Sequence, residues 1–248
     1  MEWWVVLLLP IVVLIVHWFD YSRSIQEYTF AQPEAGLGTV ITEKTPVVLE
    51  VGALPWRPEI AAKSPWTVET GDGNVVSIST IDPLKACVEN NEDLAEQMEL
   101  DKGLTEIDEA RPLWWLPGLF ATSVDILQER EVTALSWVTA ERQWIGCSSG
   151  GPLLVWLAHS RYRRFLPESV TDPWSLTVET APYIGRVQYI EVRIQPGWAI
   201  GIPAHWGYSI RADNLSWSWS TEQHSIVSIG ITRSPMVIDT LMNTDVSA

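Results

Sequence analysis

The longest apolar run of the chain lies at its beginning. Residues 3–19 contain no Asp, Glu, Lys or Arg and are mostly aliphatic. Their number is close to the lower limit for a helix that spans a bilayer, and tryptophans stand at both ends, as in interfacial aromatic belts. A cleaved signal peptide is the alternative, but the basic start and the small-residue cleavage site of such peptides are missing. The pattern predicts a transmembrane anchor over 1–21 that contacts lipid through residues 3–19.

The next segment, residues 22–44, is polar and contains one proline and two glycines. This composition is typical of a tether between two ordered parts. Arg23 follows the apolar run whereas Glu2 precedes it, so the positive-inside rule favours a cytosolic position for the rest of the chain. We therefore expect a single-pass membrane protein.

Short apolar runs separated by Pro and Gly begin at Thr45 and continue through most of the chain. Such runs predict strands, here at 45–52, 75–81, 135–138, 144–147, 153–159, 189–194, 199–202, 208–212, 216–221 and 226–232. The Asp82-Pro83 pair predicts the start of a helix that extends towards residue 103. Together these elements predict a mainly β domain with helical decoration over 45–235. A double-stranded β-helix, the cupin or jelly-roll architecture, fits this order, and a tail over 236–248 follows it.

One apolar segment, residues 113–120, stands apart from the predicted strands. It is too short to span a membrane. A buried turn between helices is the favoured interpretation, and contact with a membrane interface is the alternative.

Composition limits the partners. The net charge of −15 argues against nucleic acid, whose phosphates would be repelled, and against docking on anionic lipid through a basic face. The fifteen tryptophans suit half-buried sites at which the indole packs and its N–H finds an acceptor. Cys87 and Cys147 stand far apart and outside any zinc-binding pattern, so we expect two buried thiols, with a single disulfide as the alternative.

The most informative motif lies between Gln195 and Ile210. Its sequence is Gln-Pro-Gly-Trp-Ala-Ile-Gly-Ile-Pro-Ala-His-Trp-Gly-Tyr-Ser-Ile. It predicts a strand, a Pro-Gly turn, a second strand, a Pro-centred turn and a third strand. The motif resembles the last metal-bearing hairpin of the JmjC/cupin-like family of iron- and 2-oxoglutarate-dependent oxygenases. In that family the hairpin supplies the final iron-binding histidine, whereas Tyr208 occupies the corresponding position here.

Two other segments are similar to the same family. Residues 46–49 (Pro-Val-Val-Leu) resemble its first strand, and residues 144–146 (Trp-Ile-Gly) resemble the strand that precedes its first two iron ligands. In the family an H-x-D pair follows, but no H-x-D or H-x-E occurs in this chain. The lysine that binds 2-oxoglutarate in the family falls near Tyr162 or Arg163.

The resemblance therefore implies a degenerate barrel mouth with no catalytic residue, no metal ligand and no cofactor. A metal site rebuilt from His205, His224 and a distant carboxylate is the alternative. We expect His159 to be a satisfied or partly exposed histidine at a strand end, and His224 to face solvent. The candidate binding residues of the mouth are Trp156, Tyr162, Arg163, His205, Trp206, Tyr208, Trp217 and Trp219.

These features predict a membrane-anchored, non-catalytic cupin-like protein that serves as a structural or binding module. Its expected partners are the lipid bilayer and either a protein or a small apolar ligand, with no nucleic acid. General resemblance suggests a virion membrane or capsid-associated protein of a large DNA virus. One alternative is an Fe(II)/2-oxoglutarate-dependent hydroxylase with a rearranged metal site. Another is an unrelated all-β assembly domain that resembles the family by accident.

Overall fold

The computed structural model describes residues 3–23, 37–42, 44–51, 66–69, 75–78, 104–118 and 120–232. The predicted helix at 82–103, Cys87 and the tail over 236–248 lie outside these residues. The described α-helices are α1 (Trp3–Ser22), α2 (Leu37–Thr42), α3 (Thr105–Glu109) and α4 (Ile226–Thr232). The strands are β1 (Val47–Glu50), β2 (Trp66–Glu69), β3 (Val75–Ile78), β4 (Phe120–Leu127), β5 (Ser136–Trp137), β6 (Arg142–Gly150), β7 (Leu153–His159), β8 (Tyr189–Ile194), β9 (Trp198–Pro203), β10 (Trp206–Ala212) and β11 (Ser216–Gln223).

Two antiparallel sheets form the main domain. The first has five strands in the order β1-β9-β6-β11-β4, and the second has four strands in the order β5-β10-β7-β8. Strands β2 and β3 form a separate two-stranded sheet. The chain passes from the first sheet to the second between β9 and β10 and returns between β10 and β11. This mainly β arrangement is compatible with the predicted jelly roll.

The core lies between the two large sheets, where side chains from alternate strand positions meet. It contains mostly aliphatic residues: Leu127, Val138, Ile145, Cys147, Leu153, Val155, Leu157, Ile194, Ile200, Ile202, Trp206 and Ile210. Cys147 is a buried free thiol, as expected, and burial raises its pKa to about 12. Because the thiolate is the reactive form of cysteine, the protonated thiol of Cys147 is unreactive at neutral pH.

The outer face of the five-stranded sheet is also buried, and large indoles cover glycines there. A Cβ atom at Gly146 would overlap the ring of Trp219, and one at Gly201 would lie 2.8 Å from the ring of Trp144. Trp144 is fully buried and its indole N–H donates to the Gln223 side chain at 2.8 Å. Glycine at these two positions therefore allows the indoles to lie directly on the backbone of the sheet.

Most predicted strands are confirmed, and β7 and β8 have the predicted limits. The predicted strand at 226–232 is wrong, because these residues form helix α4. Ser225 and Ser228 cap this helix reciprocally: each backbone N–H donates to the other's hydroxyl, at 2.8 and 3.2 Å. This cap favours the helix over the β-propensity of the five β-branched residues in α4.

The motif at 195–210 has the predicted order of strands and turns, but it does not form a hairpin. β9 pairs with β1 and β6, whereas β10 pairs with β5 and β7. His205 lies in the turn between them and has a positive φ of 67°. This left-handed corner directs the chain from one sheet into the other.

Helix α1 is apolar around its circumference, and from Leu8 its side chains are largely exposed. Phe19 and Leu9 are each 67% exposed and Val16 is 58% exposed. No helix made of residues that the structure describes with their side chains is long and apolar enough to cross a membrane. Within the predicted tether, residues 37–42 form helix α2.

Candidate functional site at the end of the sandwich that meets helix α1

The predicted mouth residues lie on several different surfaces. Trp206 and Tyr208 alternate with Gly207 on β10 and point into the core between the sheets. Burial, and secondly the charge of Glu222, raise the pKa of Tyr208 to about 12. The side chain that the resemblance aligns with an iron-binding histidine, Tyr208, is therefore a neutral phenol packed against the core.

Three of the predicted tryptophans lie on outer faces. Trp219 covers Gly146 on the outside of the five-stranded sheet, and Trp217 stands two residues before it on the same face. Trp156 lies on the outside of the other sheet, stacked on Tyr189 with ring centroids 5.3 Å apart. Trp156 and Tyr162 belong to one small apolar cluster, but Trp217 and Trp219 do not contact it.

The last two predicted residues, Arg163 and His205, lie near the end of the sandwich where α1 arrives. The guanidinium of Arg163 lies 5.5 Å from the centre of the Trp137 ring. His205 Nε2 lies 3.0 Å from the backbone oxygen of Tyr21, which is close to the end of the described segment 3–23. The predicted mouth residues are therefore divided among four places: the core, the outer face of each large sheet and the end that meets α1.

Tyr21 connects helix α1 to the sandwich. It is 2% exposed, and its hydroxyl donates to the backbone oxygen of Thr139 at 2.7 Å. Its ring meets the His205 ring edge-on at 5.0 Å, and it packs with Ala204 and Ile231. We refer to this end of the sandwich, where α1, the β9–β10 turn and α4 meet, as the docking end.

A polar cluster lies beneath the docking end. The Glu141 carboxylate accepts a hydrogen bond from the Ser225 hydroxyl at 2.5 Å, and burial raises the pKa of Glu141. The charges of Lys44 and His224 oppose this rise. His224 is 5% exposed and its ring nitrogens lie 3.1 Å from Ser228 Oγ and 2.8 Å from Glu222 Oε2. The expectation that His224 faces solvent is therefore wrong, because α4 covers it.

His159, at the end of β7, is fully buried. Its Nδ1 accepts the backbone N–H of Arg161 at 3.2 Å, so this histidine is satisfied, as expected. Burial, and then the charges of Arg161 and His205, lower the pKa of His159 to about 4. The imidazole is neutral at physiological pH.

A cavity of about 240 Å³ opens beside Tyr21 at the docking end. Asp20, Lys44, Trp114 and Glu141 contribute to its lining. A second, more open cavity of about 490 Å³ lies at the opposite end of the sandwich, between Arg211 and Glu129. Among the described residues, no group of three or more His, Cys, Asp or Glu side chains is placed to hold a metal ion.

The docking end is not evident from the sequence, because its members are far apart along the chain. Tyr21, Glu141 and Ser225 are brought together only by the pairing of β6 with β9 and β11. The one signal in the sequence is the charged pair Glu141-Arg142 at the start of a strand that contains no other charged residue.

No protein-family model matches this chain, and no curated protein matches it significantly in sequence.

Proposed function

We propose that this protein is a membrane-anchored, non-catalytic β-sandwich of the JmjC/cupin-like type, which α1 holds at a bilayer as a structural or binding module. The observation that carries the proposal is the exposure of α1. A helix that is hydrophobic all round belongs in a protein core or in lipid. Val12 and Leu9 are 55% and 67% exposed, so the protein's own core does not cover them.

The dimensions of α1 support insertion into lipid. The helix has 20 residues, which gives a length of about 30 Å at 1.5 Å per residue. The hydrocarbon core of a bilayer is about 30 Å thick. Pro10 lies inside the helix, a position that membrane helices tolerate better than soluble ones.

The non-catalytic part of the proposal is supported by the environments of the family-related positions. Tyr208 packs in the core, His205 contacts the backbone of Tyr21, and both ring nitrogens of His224 have partners. These side chains serve packing and the attachment of α1, and none converges with the others on a common point.

A pair of valines tests the anchor. Val12 and Val178 are both exposed, at 55% and 68%, but only Val12 lies on α1. An aspartate near the middle of a membrane helix costs about 3 kcal/mol. We expect Val12→Asp to weaken flotation of the full chain with phosphatidylcholine vesicles by about a hundredfold. Val178→Asp should float like the parent protein.

Two results would contradict the proposal. Equal flotation of the Val12→Asp and Val178→Asp variants would show that α1 does not enter lipid. Turnover of 2-oxoglutarate that depends on added Fe(II) would show that the domain is an enzyme, the alternative function, whatever the behaviour of α1.

A further inference from the structure

Arginines are concentrated at the docking end. Arg163 and Arg164 lie on the 3-10 turn Ser160–Phe165, and Arg186 ends the 3-10 turn Ile184–Arg186. We refer to these three residues as the arginine patch. Residues 160–167 and 181–190 contain no Asp or Glu. A strongly acidic chain therefore carries a local surface of the opposite charge.

Each arginine of the patch is held on an aromatic ring. Arg163 lies 5.5 Å from the centre of Trp137, and Arg164 lies 4.9 Å from the centre of Phe165. Arg186 lies 5.8 Å from the same Phe165 ring. None of the three forms an ion pair with a carboxylate of the described residues. Stacked guanidinium groups keep their N–H donors available, and their fork geometry matches phosphate and carboxylate oxygens.

Short contacts connect the patch to α1. The backbone N–H of Ser160, just before the patch, donates to the His205 oxygen at 2.8 Å. His205 in turn contacts the backbone oxygen of Tyr21 at 3.0 Å. The Tyr162 hydroxyl donates to Gln188 at 2.9 Å, which joins the segment bearing Arg186 to the same end. The patch therefore lies at the end of the sandwich from which the apolar helix extends.

Neighbouring side chains at the docking end suit a membrane surface. Leu113 is fully exposed and Trp114 is 46% exposed, with its ring 5.9 Å from that of His17 on α1. The prediction of a buried turn is therefore wrong for Leu113 and Trp114, whereas Trp115 is buried. The carboxylates of Asp20 and Asp108 are paired with Lys44 and Arg111, so they subtract little from the local positive charge.

We propose that the arginine patch binds the anionic headgroups of the membrane that α1 enters, and so holds the docking end against the lipid surface. This inference rests on the proposed function of α1. The net charge of −15 argued against binding to anionic lipid. Headgroups respond mainly to charges within about a Debye length, roughly 10 Å at moderate salt, so the local charge of the patch counts for more than the charge of the whole chain.

The test compares the full chain with two triple variants of equal charge. One replaces the patch (R163Q/R164Q/R186Q), and the control replaces arginines of the opposite end (R130Q/R193Q/R211Q). Flotation is titrated with vesicles of phosphatidylcholine alone and with vesicles containing about 30% phosphatidylserine. Each arginine near an anionic surface raises membrane affinity about fivefold. At low salt the parent should therefore need on the order of a hundredfold less of the anionic vesicles than of the neutral ones for the same flotation. Only the patch variant should lose this preference, and high salt should abolish it.

The outcomes separate the two proposals. Failure of the parent to float with neutral vesicles would overturn the role of α1. Flotation with neutral vesicles but no preference for anionic ones, or equal losses in both triple variants, would overturn the role of the patch alone. Displacement of the anionic preference by an RNA oligonucleotide at equal phosphate concentration would assign the patch to nucleic acid instead. Hydrogen exchange of residues 160–166 on the two membranes gives a second readout, with slower exchange expected on the anionic one.

Discussion

Gly146 shows how strongly a single position can be constrained in this sandwich. The ring of Trp219 lies directly on its backbone, on the outer face of a central strand. Because both β6 and β11 are paired on both edges, neither strand can move away to make room. The indole N–H of Trp219 finds no acceptor among the described residues, so contact with the sheet and not hydrogen bonding holds this side chain.

We expect Gly146→Ala to lower the free energy of unfolding by roughly 3 kcal/mol, the upper end of the cost of over-packing. Gly230 is the control, because a Cβ atom there meets nothing within 4 Å in helix α4. Gly230→Ala should raise the free energy of unfolding by about 0.5–1 kcal/mol, since alanine is the better helix former. Urea denaturation measures both values, and effects of the same sign would refute the packing argument.

His159 gives the domain a defined pH dependence. Its pKa is about 4 in the folded protein, below the ordinary value of 6.5. As the pH falls from 6.5 towards 4, the unfolded chain takes up a proton that the folded protein does not, so stability present above pH 6.5 is lost in this window. The loss is at most about 1.4 kcal/mol per pH unit.

Asparagine can accept the N–H of Arg161 in place of His159 Nδ1, but it does not titrate. We therefore expect His159→Asn to lower stability at pH 7 and to flatten its dependence on pH between 6.5 and 4. Thermal denaturation at several pH values measures the slope. An unchanged slope would mean that another group causes the acid sensitivity.

At the scale of elements, the sequence patterns predict where strands lie better than they predict which side chains share a face of a sheet. Short runs rich in apolar residues predicted β7 and β8 with their limits. β4 was not predicted, since Asp125 interrupts its apolar pattern. Its strand conformation is fixed by hydrogen bonding to β11, which the sequence pattern of β4 does not indicate. The predicted mouth combined Trp156, Tyr208 and Trp219, which stand on three different faces of two sheets. Periodicity assigns a side chain to one of two faces, but only strand order decides which faces meet.

Helix α4 depends on its serine cap. The Ser225 hydroxyl accepts the N–H of Ser228 and donates to the buried Glu141 carboxylate. Ser225→Ala removes both bonds and leaves the carboxylate without this donor. We expect a loss of about 2 kcal/mol in the free energy of unfolding. Ser136→Ala, at an exposed serine of β5, should change stability by less than about 0.5 kcal/mol. Equal effects would show that the cap does not stabilise α4.

At the scale of the whole molecule, charge and apolarity are distributed unevenly in a way that composition hides. The net charge of −15 describes the chain as a whole, whereas Arg163, Arg164 and Arg186 lie together at the end that carries α1. The sequence predicts the apolar helix and the motif at 195–210 separately. No sequence pattern indicates that the turn containing His205 receives the end of that helix, because this contact joins residues 184 positions apart.

The contact between Tyr21 and His205 implies that helix and sandwich behave as one unit. The Tyr21 ring fills the space between His205, Ala204 and Ile231, and the Tyr21 hydroxyl donates to Thr139. Tyr21→Ala removes the ring, and so should free the β9–β10 turn and raise hydrogen exchange at residues 138–141 and 204–206. Tyr21→Phe loses only the hydroxyl bond and should change exchange at Thr139 and its neighbours far less.

Strand β8 provides the internal reference for this measurement, because it pairs with β7 alone and lies on the opposite edge of its sheet from β5. Its exchange should be the same in the parent and in both Tyr21 variants. A rise in β8 as well would indicate global destabilisation, and no change at the turn would show that α1 is attached independently of Tyr21. A rise in exchange that is confined to these regions in Tyr21→Ala would instead mean that a single aromatic side chain attaches the helix to the sandwich. The same side chain would then set the orientation of the arginine patch relative to the helix.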